Sequence, residues 1–120
     1  MGSTKNFLKN YKIIDAQSMG ADVTSSVTNI QVIDNVGIQI SFTTSDAVGT
    51  FYVQISADYD PHLGTGTWID LDLSPAPAAA SANDSFYLDL NQLSAPWIRL
   101  FYDRTSGTGT LNAYITGKMV

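Results

Sequence analysis

The sequence predicts an all-β fold, an antiparallel β-sandwich or jelly-roll-like arrangement of seven to eight short strands. Three observations predict it. Apolar and polar residues alternate with a period of two across residues 36–42 and 50–57, the pattern of half-buried antiparallel strands. Candidate strands recur at roughly 8–12-residue spacing, separated by Gly, Pro, Asn and Asp clusters. No stretch carries a helical period long enough to form a convincing helix.

The chain opens with a polar, basic arm over residues 1–10, with Phe7 and Leu8 as its apolar anchors, and continues as one sandwich domain over residues 11–120. Residues 11–14 form a short strand. Residues 21–27 alternate Val23, Ser25 and Val27 on a weak core face, and residues 28–33 carry Ile30 and Val32 inward. Asp34 and Asn35 turn the chain, since Asn tolerates left-handed geometry. Val36, Ile38, Ile40 and Phe42 then face the core against Gly37, Gln39 and Ser41. After a loop at 43–49, Phe51, Val53, Ile55 and Ala57 point in, while Tyr52, Gln54 and Ser56 point out.

Residues 58–67 are a loop. Residues 68–73 form a strand with Ile69, Leu71 and Leu73 on one face and Trp68, Asp70 and Asp72 on the other. Residues 74–85 are a connection, because Pro75 and Pro77 oppose helix in a short Ala-rich run. Phe86, Leu88 and Leu90 are the inward positions of the next strand. Residues 97–102 are apolar on both faces, which marks a central strand covered on both sides. Residues 111–116 alternate again, and Ser106-Gly107-Thr108-Gly109-Thr110 between them predicts a hairpin joining two antiparallel neighbours.

At 120 residues the chain is long enough for one self-sufficient core, and it contains no cysteine for disulfides, thiolate catalysis or thiolate-bound metals. The net charge is −5, from 11 acidic and 6 basic residues, with charged residues at 14%. Without clustered Lys and Arg to displace counterions from phosphates, nucleic acid is not an expected ligand. A surface so poor in charge is weakly protected against association and suits packing against partners. No segment approaches the ~20 apolar residues of a membrane helix, so no membrane contact is expected. The first residues have no apolar core of a secretory signal. Met1-Gly2 begins a myristoylation pattern, but Asn6 stands where Ser or Thr is required.

Candidate chemistry is sparse. His62 is the only histidine, and no serine near it sits in a nucleophile elbow, so no catalytic residue is expected. Asp58 and Asp60 could offer oxygens to calcium, but calcium loops use denser spacing and a bidentate Glu, and this chain contains no glutamate. They are read as turn residues, and no metal or cofactor is expected. Asp70 and Asp72 share one face and are read as solvated or as salt-bridge acceptors for a partner, not as a glycosidase pair. The aromatics carry more weight. Tyr52, Trp68, Tyr87 and Tyr114 fall on outer faces, with Tyr59 in a loop; together with Phe7 and Leu8, the first four are the expected partner-binding residues.

Three strings carry a resemblance: T-W-I-D-L-D-L at 67–73, D-L-N-Q-L-S-x-P-W-I-R-L-x-Y at 89–102, and S-G-T-G-T-L-N-x-Y-I-T-G-K at 106–118. Over roughly the C-terminal half, the chain resembles small all-β structural proteins of tailed bacteriophages. The resemblance implies a non-enzymatic virion component, a capsid decoration or cement protein or a neck or tail accessory piece. Its implied partners are major capsid or neck and tail proteins and copies of itself, and its implied location is the virion. It brings no active-site residues. The competing expectation is a carbohydrate-binding β-sandwich module for host or glycan recognition, which would line Trp68 and the tyrosines along one groove.

Overall fold

Ten antiparallel strands fold into two sheets in a computed structural model that describes residues 7–73, 75–91 and 93–118, with no helix among them. The first sheet has the order β1 (Phe7–Ser18), β10 (Thr110–Lys118), β4 (Asn35–Thr43), β8 (Asp84–Asn91). In the second, β9 (Trp97–Ser106) lies between β5 (Val48–Ser56) and two fragments, β2 (Val23–Thr24) and β3 (Thr28–Asn29). Two further fragments, β6 (Ile69–Asp70) and β7 (Ala78–Ala80), pair with the far side of β5. The fold class is the one the alternation predicts. The strand count exceeds seven or eight because four of the ten strands are two- or three-residue pieces at the margins of the second sheet.

The core lies between the sheets. Phe42 and Phe86 from the first sheet meet Phe51 from the second, with Phe42 and Phe51 ring centroids 5.7 Å apart and Phe51 and Phe86 at 6.4 Å. Phe51 also packs on Tyr102 of its own sheet at 4.8 Å. Val36, Ile38, Ile40 and Phe42 are all buried, as are Phe51, Val53, Ile98, Leu100 and Tyr102. Such close-packed rings and branched chains are the main favourable contribution to folding.

The expected hairpin between residues 97–102 and 111–116 does not form. Strand β9 belongs to one sheet and β10 to the other, and residues 107–109 cross between them. Both hydrogen-bonding sides of each strand are already occupied: β10 by β1 and β4, β9 by β5 and the β2/β3 fragments. The crossing uses Gly107 at φ +76°, where a Cβ would strike the backbone of Asp46 and Ala47. It is pinned to the neighbouring crossing from β4 to β5: the Asp46 N–H donates to Thr108 O at 3.0 Å, and the Thr108 N–H donates to Asp46 Oδ1 at 2.8 Å.

Several local expectations also change. Residues 7–10 of the predicted arm belong to β1 instead, where the backbones of Phe7 and Leu8 pair with Lys118 and Gly117. Residues 1–6, and the side chains of Phe7 and Leu8, lie outside what is described. Strand β1 is longer than residues 11–14 and is bulged, so the successive Ile13 and Ile14 are both buried. Val32 is 61% exposed, since the Ile33 N–H donates to Ile30 O and closes a turn that sends Ile33 inward in its place.

Ala57 is exposed and Ser56 buried, because β5 stops at Ser56 and its hydroxyl donates to Asp58 Oδ1 at 2.9 Å. Ile69 is 59% exposed at the sheet edge, while Leu71 and Leu73 pack on the core. The predicted connection at 74–85 contributes β7, whose Ala79 is buried.

Candidate functional site

The six residues expected to bind partners do not converge. Tyr52 and Trp68 lie on the outer face of the second sheet, Tyr87 and Tyr114 on the outer face of the first, and Phe7 and Leu8 at the start of β1. A two-layer sandwich puts its outer faces on opposite sides of the core, so one groove cannot hold both pairs of rings.

On the second sheet the outward residues of β9 are Trp97, Arg99 and Phe101, paired across β5 with Ser56, Gln54 and Tyr52. The loop after β5 folds over them. Tyr59 packs on Trp68 at 5.4 Å and on Trp97 at 5.2 Å between centroids. The Arg99 guanidinium stacks on the Trp68 ring, 4.3 Å from its centroid, a cation–π geometry. Its Nε donates to Gln54 Oε1 at 2.7 Å, and Gln54 Nε2 donates to Asp70 Oδ1 at 2.9 Å. This row fixes the guanidinium from below while the indole covers one side. Partial burial lowers the Arg99 pKa, but a guanidinium stays charged at every working pH.

The loop is built by its aspartates. Asp58 Oδ1 accepts the Thr67 N–H at 2.8 Å and the Ser56 hydroxyl, which close the loop at its base and hold the carboxylate below its ordinary pKa. Asp60 Oδ1 accepts the His62 N–H at 2.8 Å, and the Asp60 N–H donates to Thr65 O. Both carboxylates are thus engaged by their own loop, and no cluster of three metal-ligating side chains occurs among the described residues. His62 is exposed, and Leu63 at the loop tip is 74% exposed.

The first sheet presents a different surface. The register aligns Lys12, Tyr114, Gln39 and Tyr87 in one row across all four strands. Tyr87 is 59% exposed and Tyr114 36%. Tyr87 leans diagonally over Gly37, where a Cβ would collide with its hydroxyl and Cζ, so only glycine lets the ring lie down on the sheet. Lys12 Nζ sits 5.5 Å from the Tyr114 centroid and pairs with Asp15 at 3.0 Å, which raises its pKa. A hollow of about 630 Å³ lies among Asn10, Gln39, Tyr87, Tyr114 and Thr116. A second, of about 300 Å³, lies on the other side of Tyr87 among Asn35, Gly37, Asp89, Thr116 and Gly117.

The rings are legible in the sequence, but Arg99, Trp97, Gln39 and Gly37 were missed as site residues. Alternation places each on an outer face. Nothing short of the register shows that Gln39 joins two tyrosines, or that Arg99 lies under Trp68. No protein-family model matches the chain, and no curated protein matches it.

Proposed function

We propose that this chain is a non-enzymatic structural component of a tailed-bacteriophage particle, a capsid decoration protein or a neck or tail accessory piece, acting by protein–protein assembly. The observation that carries the assembly reading is the outer face of the second sheet. There Trp68, Tyr59, Trp97 and Arg99 form one contiguous, half-buried cluster with Tyr52 and Phe101 beside it. Trp, Tyr and Arg dominate the energetics of protein interfaces, and they do so where neighbours hold them rigid. Here the stacking and the Gln54 bond do that holding before any partner arrives, which lowers the entropic cost of docking. The particle itself enters through the resemblance of residues 67–73, 89–102 and 106–118 to phage structural proteins.

One such patch is small, so retention on a particle comes from several copies acting together at high effective concentration. Because the patch is aromatic with a single cation, occupancy depends little on salt. The test uses recombinant protein and particles, lacking it, of the phage that encodes it. Intact protein is expected to bind and to survive molar salt, while W68A and R99A each lose about 2 kcal/mol or more, roughly thirtyfold. Binding unchanged in both variants, with their melts intact, sinks the reading.

A further inference from the structure

We propose that the outer face of the first sheet is a binding site for a neutral oligosaccharide, centred on Tyr87 and Tyr114 with Gln39 between them. The inference goes beyond assembly and does not depend on it, because it uses the opposite face of the sandwich.

The two tyrosines stand two interstrand steps apart on one cross-strand row, about 10 Å from Cα to Cα. The hydroxyl end of Tyr87 reaches across the sheet over Gly37, yet the residue remains 59% exposed, so much of the ring is open to solvent. An exposed ring is a platform for the C–H face of a sugar, which is apolar while its rim is hydroxylated. The rim needs donors and acceptors, and the larger hollow supplies them: Asn10, Gln39 and Thr116 are its remaining lining. An amide both donates and accepts, as a hydroxyl does, so the two match in any orientation. The volume of about 630 Å³ lies in the range of small-molecule sites. The second hollow continues past Tyr87, so a ligand longer than one ring has somewhere to go.

Other occupants fit less well. The larger hollow has no aliphatic lining, so it offers no pocket for the apolar anchor of a protein or peptide. Bases also stack on tyrosine, but a strand of nucleic acid brings phosphates, and the row's one cation, Lys12, is already paired with Asp15. A ligand without charge is what this lining accepts.

The full chain is titrated with maltohexaose, cellohexaose, xylohexaose and tri-N-acetylchitotriose, by saturation-transfer NMR and calorimetry. At least one is expected to bind. Y87A and Y114A then weaken it about tenfold or more, and Q39A weakens it as well. W68A, on the other face, leaves it unchanged. G37V keeps Tyr87 but lifts its ring, so it is expected to weaken binding while far-UV dichroism stays that of the parent. Failure of all four sugars to bind overturns the proposal. So does binding that survives the Y87A/Y114A pair, or binding lost in W68A.

Discussion

Replacing Ser25 with Ala removes one oxygen atom and is expected to destabilise the fold far more than its size suggests. Strand β9 is flanked on one side by two fragments, with β2 opposite Phe101 and Tyr102 and β3 opposite Trp97 and Ile98. Ser25 joins the gap. Its N–H donates to Leu100 O at 2.9 Å, and its Oγ accepts the Leu100 N–H at 2.8 Å. The hydroxyl then donates to Ser26 O. Both Ser25 and Leu100 are buried, so the variant leaves the Leu100 amide without an acceptor and away from water.

Stranding a buried donor costs about 1–3 kcal/mol. With an unfolding entropy of ~2.1 cal/mol/K per residue, a chain of 120 residues loses about 4–12 °C in Tm. Urea unfolding checks it: the midpoint falls while the m-value holds. Amide exchange at Leu100 should accelerate relative to Val53 on the facing strand. Ser26→Ala, on an exposed side chain, is the control and stays within ~0.5 kcal/mol. A Ser25→Ala loss no larger than the control's refutes the idea that a side chain completes this ladder.

Leu100→Ala should cost ~2–5 kcal/mol in the same urea assay, as buried leucines do; a loss under ~0.5 kcal/mol contradicts its place in the core. Tyr102 has a buried hydroxyl with no partner among the described residues, so Tyr102→Phe should leave stability unchanged or raise it by about 1 kcal/mol. Burial also holds the Tyr102 phenol above its ordinary pKa of 10.0. The unfolded chain then loses that proton before the folded one, so this contribution is intact below about pH 10 and is lost above it. Urea midpoints at about pH 9 and about pH 11 should therefore differ less in Tyr102→Phe than in the parent, and an equal difference counts against it. Asp58 is held below its ordinary pKa, so its contribution is present above that value and fades as pH falls through the lowered one. Asp58→Asn should speed amide exchange at Thr67 and alter Trp68 fluorescence at neutral pH, and an unchanged loop shows that the carboxylate does not hold it.

What the sequence revealed was whatever depends on neighbours along the chain. Val36 to Phe42 alternate so cleanly that their burial follows from the pleat alone, and Phe86, Leu88 and Leu90 follow the same rule. What it concealed depends on pairing. The Gly-Thr-Gly loop permits a hairpin and a crossing equally, and only the occupied edges of β9 and β10 decide for the crossing. Ser25 read as inward from its position. The reason a serine serves there, the gap opposite Leu100, lies 75 residues away in sequence. The aromatic residues were legible one by one, but their division between two faces was not, because sheet membership is a long-range property. Gly37 looks like a weak point in a strong strand until Tyr87 is seen lying across it.

The proposed docking through the Trp68–Arg99 face would leave the Tyr87–Tyr114 face open. Hydroxyl-radical footprinting of the protein, free and bound to the phage particle proposed as its partner, compares the two directly. Bound protein is expected to show protection at Tyr52, Tyr59 and Trp68, with Tyr87 and Tyr114 as reactive as in the free chain. Protection of Tyr87 and Tyr114 with Trp68 still reactive would contradict it, and would make the first sheet the docking surface.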